Sequence, residues 1–183
     1  ILDKLEDHAV LNLPAGRLAF STDTFVVSPL FFPGGDIGDL AINGTVNDVA
    51  MSGAKPLYLS VGLVLEEGLP LETLHRVLLS MENAAKKAGV AIVTGDTKVV
   101  NRGACDQMFI NTSGVGVIPE GVNTSASSLA PGDTVIISGT LADHGMAVMT
   151  TREGMSFESR VQSDSAPLNE LVAAILEVCP EVK

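Results

Sequence analysis

Residues 17–27 alternate apolar with polar side chains and are rich in Phe, Val and Thr, the period-two pattern of a half-buried strand. Residues 56–66 form a second strand that closes at Glu66-Glu67-Gly68, where the adjacent acids read as a solvated strand end. Residues 107–118 form a third, alternating apolar with small or polar residues, which suits a sheet face turned to a partner sheet or a ligand cleft. Two shorter apolar runs, 91–93 and 134–138, read as strands with both faces covered. Helical spacing appears in Leu71, Leu74, Leu78, Met81, Ala85 and Ala88, with Pro70 at the start, Lys86 and Lys87 in the last turn and Gly89 as C-cap. A shorter helix runs from Asp143-His144-Gly145 to Met149, and an amphipathic one spans 164–179 up to Pro180. Leu2, Leu5, Ala9 and Val10 keep rough helical register without a clear cap. These elements predict an α+β fold, a mixed β-sheet with helices on one face. Residues 1–139 form one domain and 140–183 the start of a second.

The helix after residues 29–38 is the most informative. Asp36 stands at its N-cap behind the turn Phe31-Phe32-Pro33-Gly34-Gly35, and Ser52-Gly53-Ala54 ends it. At about 100 degrees per residue, Ile37, Leu40, Ala41, Gly44 and Met51 share a face, and Asp48 falls in its middle. A buried carboxylate needs a partner or a metal; the competing reading is that Asp48 reaches solvent near the helix end. Asn47 beside it adds an amide able to orient a ligand. The diglycine can cradle a phosphate or mark only a turn. Asp23 falls inside a strand, where aspartate is depleted, which invites either a bulge at a sheet edge or a carboxylate held for a ligand. Gly95 permits a tight turn or a close approach, and Asp96 and Lys98 point to one side if the strand continues, either as a surface salt bridge or as a carboxylate for a metal and an ammonium for a phosphate. If Asp23, Asp48 and Asp96 converge, they form a hard-oxygen site of the kind that holds magnesium against nucleotide phosphates.

Composition narrows the field. With 183 residues, 46% of them apolar, the chain can build a substantial core. Its net charge of -11 and its scattered Lys and Arg argue against a nucleic-acid surface. No apolar run approaches the roughly 18 residues of a membrane span. Cys105 and Cys179 lie far apart, without metal-ligand spacing, which fits a reducing cytoplasm. The opening at Ile1 has no signal-peptide form, and the chain reads as trimmed from a longer one.

The runs Phe20-Ser21-Thr22-Asp23, Pro29 through Gly38, Gly44 through Ala54 with its Asn47-Asp48, and Gly95-Asp96-Thr97-Lys98-Val99-Val100 closely resemble the HypE family of hydrogenase expression/formation proteins. That family belongs to the superfamily of aminoimidazole ribonucleotide synthetase and selenophosphate synthetase. The resemblance covers nearly the whole chain. It implies a homodimer whose sheets pair into a barrel, with ATP and Mg2+ in a cleft near the interface. It also implies ATP-dependent dehydration of a carboxamide, carried as a thiocarbamate on a C-terminal cysteine, to the thiocyanate that supplies cyanide to [NiFe]-hydrogenase. Phosphorylation turns the amide oxygen into a good leaving group, and loss of the amide protons yields the nitrile. By the same resemblance, Asp23, Asp48 and Asp96 hold the metal and phosphates, and Asn47, Asp48, Asp96, Thr97 and Lys98 bind the nucleotide. Lys98 offsets charge at the reacting group, and the carbamoyltransferase HypF and the HypC-HypD scaffold are partners. The family's glycine-rich N-terminal segment, second domain and terminal cysteine have no counterpart here, so the chain should dimerise without turning over, and Cys179 is not assigned the catalytic role. The alternatives are a selenophosphate synthetase-like or thiamine-monophosphate kinase-like enzyme, and a non-catalytic dimerisation module.

Overall fold

In the computed structural model, residues 8–155 and 161–183 are described; the register of Leu2 and Leu5 lies outside them, and Ala9 and Val10 are irregular. Strand β1 (Arg17–Phe25) leads to a small hairpin, β2 (Phe31–Phe32) and β3 (Gly35–Asp36), which turns at Gly34 with φ +90°. The diglycine therefore makes a turn. Asp36 caps helix α1 (Ile37–Met51): its carboxylate accepts the Gly38 and Asp39 N–H groups at 2.7 and 3.2 Å, and Asp39 returns a carboxylate to the Asp36 N–H at 2.6 Å. This reciprocal capping box fixes the direction in which α1 leaves the hairpin.

The buried stripe of α1 differs from the sequence expectation. Ile37, Ala41, Ile42, Thr45, Val46 and Val49 are buried, whereas Met51 and Asp48 are exposed. The stripe is centred near Thr45 and Val49, about 80–100 degrees round from Asp48. Leu40, Gly44 and Met51 lie at one side of this stripe, so a face drawn through them is displaced toward Asp48. Asp48 thus avoids the cost of burial.

Strand β4 (Lys55–Glu66), helix α2 (Leu71–Ala88), strand β5 (Ala91–Val100) and strand β6 (Met108–Ile118) complete the layer. The four-stranded sheet has the order β1-β6-β4-β5; only the β4–β5 pair is parallel, with α2 as its crossover. Both helices cover one face, over a core that includes Phe25, Ile42, Val46, Leu59, Val77, Met81, Met108 and Ile110. The glycines of β6 lie on this covered face. A Cβ at Gly116 would come 2.6 Å from Val49, and one at Gly114 2.9 Å from Thr45, so α1 can lie close only because they lack one. The opposite face of β6 carries Asn111 and Ser113, and no helix packs on it among the described residues.

Two C-terminal expectations change. Residues 134–138 form no strand: Val135, Ile136 and Ile137 are exposed, with no strand beside them among the described residues. Helix α3 (Asp143–Arg152) follows, and the last helix, α4 (Asn169–Val178), starts five residues later than its pattern suggested. Pro167 disfavours helix at the residue before it, so α4 begins only after it, and residues 165–168 cross α1, hydrogen-bonded to Asn43 and Asn47.

Candidate functional site

Two groups of polar residues sit at opposite edges of the sheet. The first lies between β1 and α1. Ala19 packs with Val49, and Phe25 lies under Gly44, so the alternate residues Ser21 and Asp23 face α1 as well. The Ser21 hydroxyl donates to an Asp48 carboxylate oxygen at 3.1 Å. Asp23 stands two residues further along, about 7 Å by strand rise, opposite the part of α1 between Gly44 and Asp48. One Asp23 oxygen accepts the Thr24 N–H at 2.7 Å. Ser21 was missed as a member of this group; its period-two spacing from Asp23 was the available signal.

The second group lies on β5, which runs unbroken through Gly95. A Cβ there would come 2.6 Å from the Val61 carbonyl, so this glycine serves a close approach to β4 instead of ending the strand. Gly95 and Thr97 pair with the inward-facing Val61 and Leu63, which turns Asp96 and Lys98 to the helix-free face. Their ion pair measures 2.6 Å, with both side chains largely in water. The Lys98 ammonium, followed by the Thr97 N–H, holds the Asp96 carboxyl below its ordinary range. Thr97 lines a cavity of about 540 Å3 between β5 and α2, with Val61, Leu63, Met81, Val90 and Ile92 as its apolar walls.

The three aspartates do not converge within one chain. Asp23 and Asp96 are separated by the full width of the sheet, three strand spacings or about 14 Å. No group of three or more metal-ligating side chains forms among the described residues. Asn47 is engaged elsewhere: its amide donates to the Ala166 carbonyl at 2.9 Å, and its oxygen accepts the Leu168 N–H at 2.8 Å. His144 is likewise structural, its ring edge-on to Phe32 at 5.0 Å and its Nδ1 3.2 Å from the Ser163 hydroxyl. Magnesium is held by one or two carboxylates plus substrate phosphates and water, so the all-oxygen set of Asp23, Asp48 and Ser21 at one edge fits that ion without a third carboxylate.

Residues 5–118 match the model of the AIR synthase related protein, N-terminal domain. The chain belongs to that family. It is 53% identical over 182 residues to the carbamoyl dehydratase HypE of Azotobacter vinelandii, covering 100% of this chain and 53% of the relative. The chain thus spans about half the length of the curated relatives it matches. It is similar to a crystal structure of the hydrogenase maturation protein HypE in complex with ATP, with TM-score 0.90 and 55% identity over 94% of this chain and 51% of the other. A HypE-HypF complex is matched with TM-score 0.86 and 55% identity over 88% of this chain and 53% of the other. A thiamine monophosphate kinase from Aquifex aeolicus shares the fold alone, with TM-score 0.68 at 19% identity over 88% of this chain and 56% of the other.

Proposed function

We propose that the chain is the ATP-binding, dimerising half of a HypE-type carbamoyl dehydratase. In that reaction a thiocarbamate on a C-terminal cysteine becomes a thiocyanate, its oxygen leaving as phosphate and its nitrogen giving up two protons. The likeness to the ATP-bound HypE structure carries this reading. The fall in identity to 19% for the thiamine monophosphate kinase weighs against that alternative.

The geometry supports a site shared between two copies. Among the described residues β1 and β5 are both open edges, and exposed Leu18 and Phe20 on the helix-free face favour a second sheet laid against it, as in a homodimeric barrel. A two-fold axis would bring the β1 edge of one copy, with Asp23 and Asp48, toward the β5 edge of the other, with Asp96, Thr97 and Lys98. The cavity beside Thr97 falls within the roughly 300–1,000 Å3 of small-molecule sites. Magnesium, bound by Asp23 and Asp48, would neutralise phosphate charge. Lys98 would steady the oxygen as it leaves, and Asp96 would direct the Lys98 ammonium. Asn47 would act on the nucleotide only indirectly, by bracing α1. HypF and the HypC-HypD scaffold are the proposed partners, in the cytoplasm.

The test follows the mass of the full-length protein bearing a carbamoylated terminal cysteine. With ATP and magnesium, the modification should lose one water, and Lys98→Met should slow that loss by about 100-fold. A full-length protein that consumes ATP without losing the water would overturn the reading.

A further inference from the structure

The peptide group between Asp23 and Thr24 is held at both ends by side chains. Its carbonyl accepts the Asn111 side-chain N–H at 2.9 Å, and its N–H is taken by the Asp23 carboxylate at 2.7 Å. The same Asn111 amide reaches Thr24 Oγ1 at 3.0 Å and Thr22 Oγ1 at 3.4 Å. Asn111 thus spans from β6 to three successive residues of β1, centred on Asp23. It stands opposite Thr24 in the strand register, on the helix-free face where α1 does not touch it. Asparagine is disfavoured in strands, and a β-branched residue would pack as well at this place. What the amide adds is a donor of the right length to reach a neighbouring backbone carbonyl.

This clamp has a consequence for the carboxylate. β1 is an edge strand, with a ladder on one side only among the described residues. With the peptide plane fixed and one Asp23 oxygen committed to the Thr24 N–H, the other oxygen is left without a hydrogen bond among the described residues. A useful ligand must be held within roughly 0.5 Å of its working geometry. We propose that Asn111 is a positioning residue: by clamping the Asp23–Thr24 peptide from the far face of the sheet, it aims the Asp23 carboxylate at the magnesium. This rests on the proposed role of Asp23 as a metal ligand.

The control lies two residues away. Ser113 also crosses from β6 to β1, donating to Thr22 Oγ1 at 2.9 Å, but it does not touch the Asp23–Thr24 peptide. Full-length Asn111→Leu, Asn111→Gln, Ser113→Ala and Asp23→Asn are titrated with Mg2+ in calorimetric ATP binding, and bound Mn2+ is counted by electron paramagnetic resonance. Asn111→Leu should raise the half-saturating Mg2+ about tenfold, the low end of the ~10–100-fold cost of removing a partner that orients a metal ligand. ATP binding without metal should not change. Asn111→Gln should recover part of the loss, and Ser113→Ala should match the wild type. A midpoint unmoved in Asn111→Leu while Asp23→Asn shifts it would overturn the positioning role alone. An unmoved midpoint in Asp23→Asn would overturn the metal-ligand reading and the positioning role with it. Equal shifts in Asn111→Leu and Ser113→Ala would reduce Asn111 to general strand pairing and overturn the proposal.

Discussion

Asp39 shows how one residue's surroundings set the sign of a stability effect. Its carboxylate closes the capping box of α1, yet it is partly withdrawn from water between α1, α2 and the crossing segment at Ser165. Burial raises its pKa above the ordinary 3.8, outweighing the Asp36 N–H and Ser165 hydrogen bonds that lower it. The folded state therefore holds this proton more tightly than the unfolded one. Stability supplied by the protonated form is fully present below the ordinary aspartate value and is lost as pH rises through the raised one. Asp39→Asn keeps an acceptor for the Asp36 N–H and removes the titration. Subtracting its thermal midpoints from those of the wild type, pH by pH, should give a difference that declines from about pH 3.8 upward. A flat or rising difference would mean that the hydrogen bonds outweigh burial.

At the scale of elements, legibility followed the number of independent local signals. Helix α2 had proline, lysines, glycine and a clean 3.6-residue period, and it appears as expected. The Asp36 cap was readable for the same reason. Helix α1 was readable as a helix, but its face was not, because small and polar residues such as Thr45 and Asn43 are buried there and blur the stripe. The run at 134–138 carries strand composition, but a strand also needs a neighbour to pair with, which composition does not supply. Single residues as candidates were visible from the aspartates; their distribution over two sheet edges depends on strand order, which no local pattern encodes. Asn47 illustrates the gap. Its sequence neighbourhood points to a ligand, while the fold spends both ends of its amide on the segment crossing α1. Asn47→Ala should release that segment, seen as faster hydrogen exchange at the Leu168 amide, since its acceptor is removed. Exchange at Leu168 as slow as in the wild type would assign the hold to packing around Pro167 instead.

For the whole molecule, the separation of Asp48 from Lys98 has a consequence that a single-chain site would not share. If each site takes its carboxylates from one copy and its ammonium from the other, two defective copies can complement each other. In an Asp48→Asn/Lys98→Met mixed dimer, one site carries both changes and the other carries neither. Random mixing makes about half of the dimers mixed, each with one intact site, so two inactive full-length variants should together regain about a quarter of wild-type turnover. If both residues served one site within one copy, every site in the mixture would keep one defect and turnover would stay at the level of the separate variants. The measurement is the water loss from the carbamoylated cysteine after the two variants are unfolded and refolded together, with each variant refolded alone as reference. Sedimentation of the same samples tells the two failures apart: monomers would remove the barrel, whereas inactive dimers would retain it and place Lys98 outside a shared site. Recovery near a quarter would tie the open edges at β1 and β5, the exposed Phe20 and the divided polar groups to one cause, a reaction that needs two copies of the sheet.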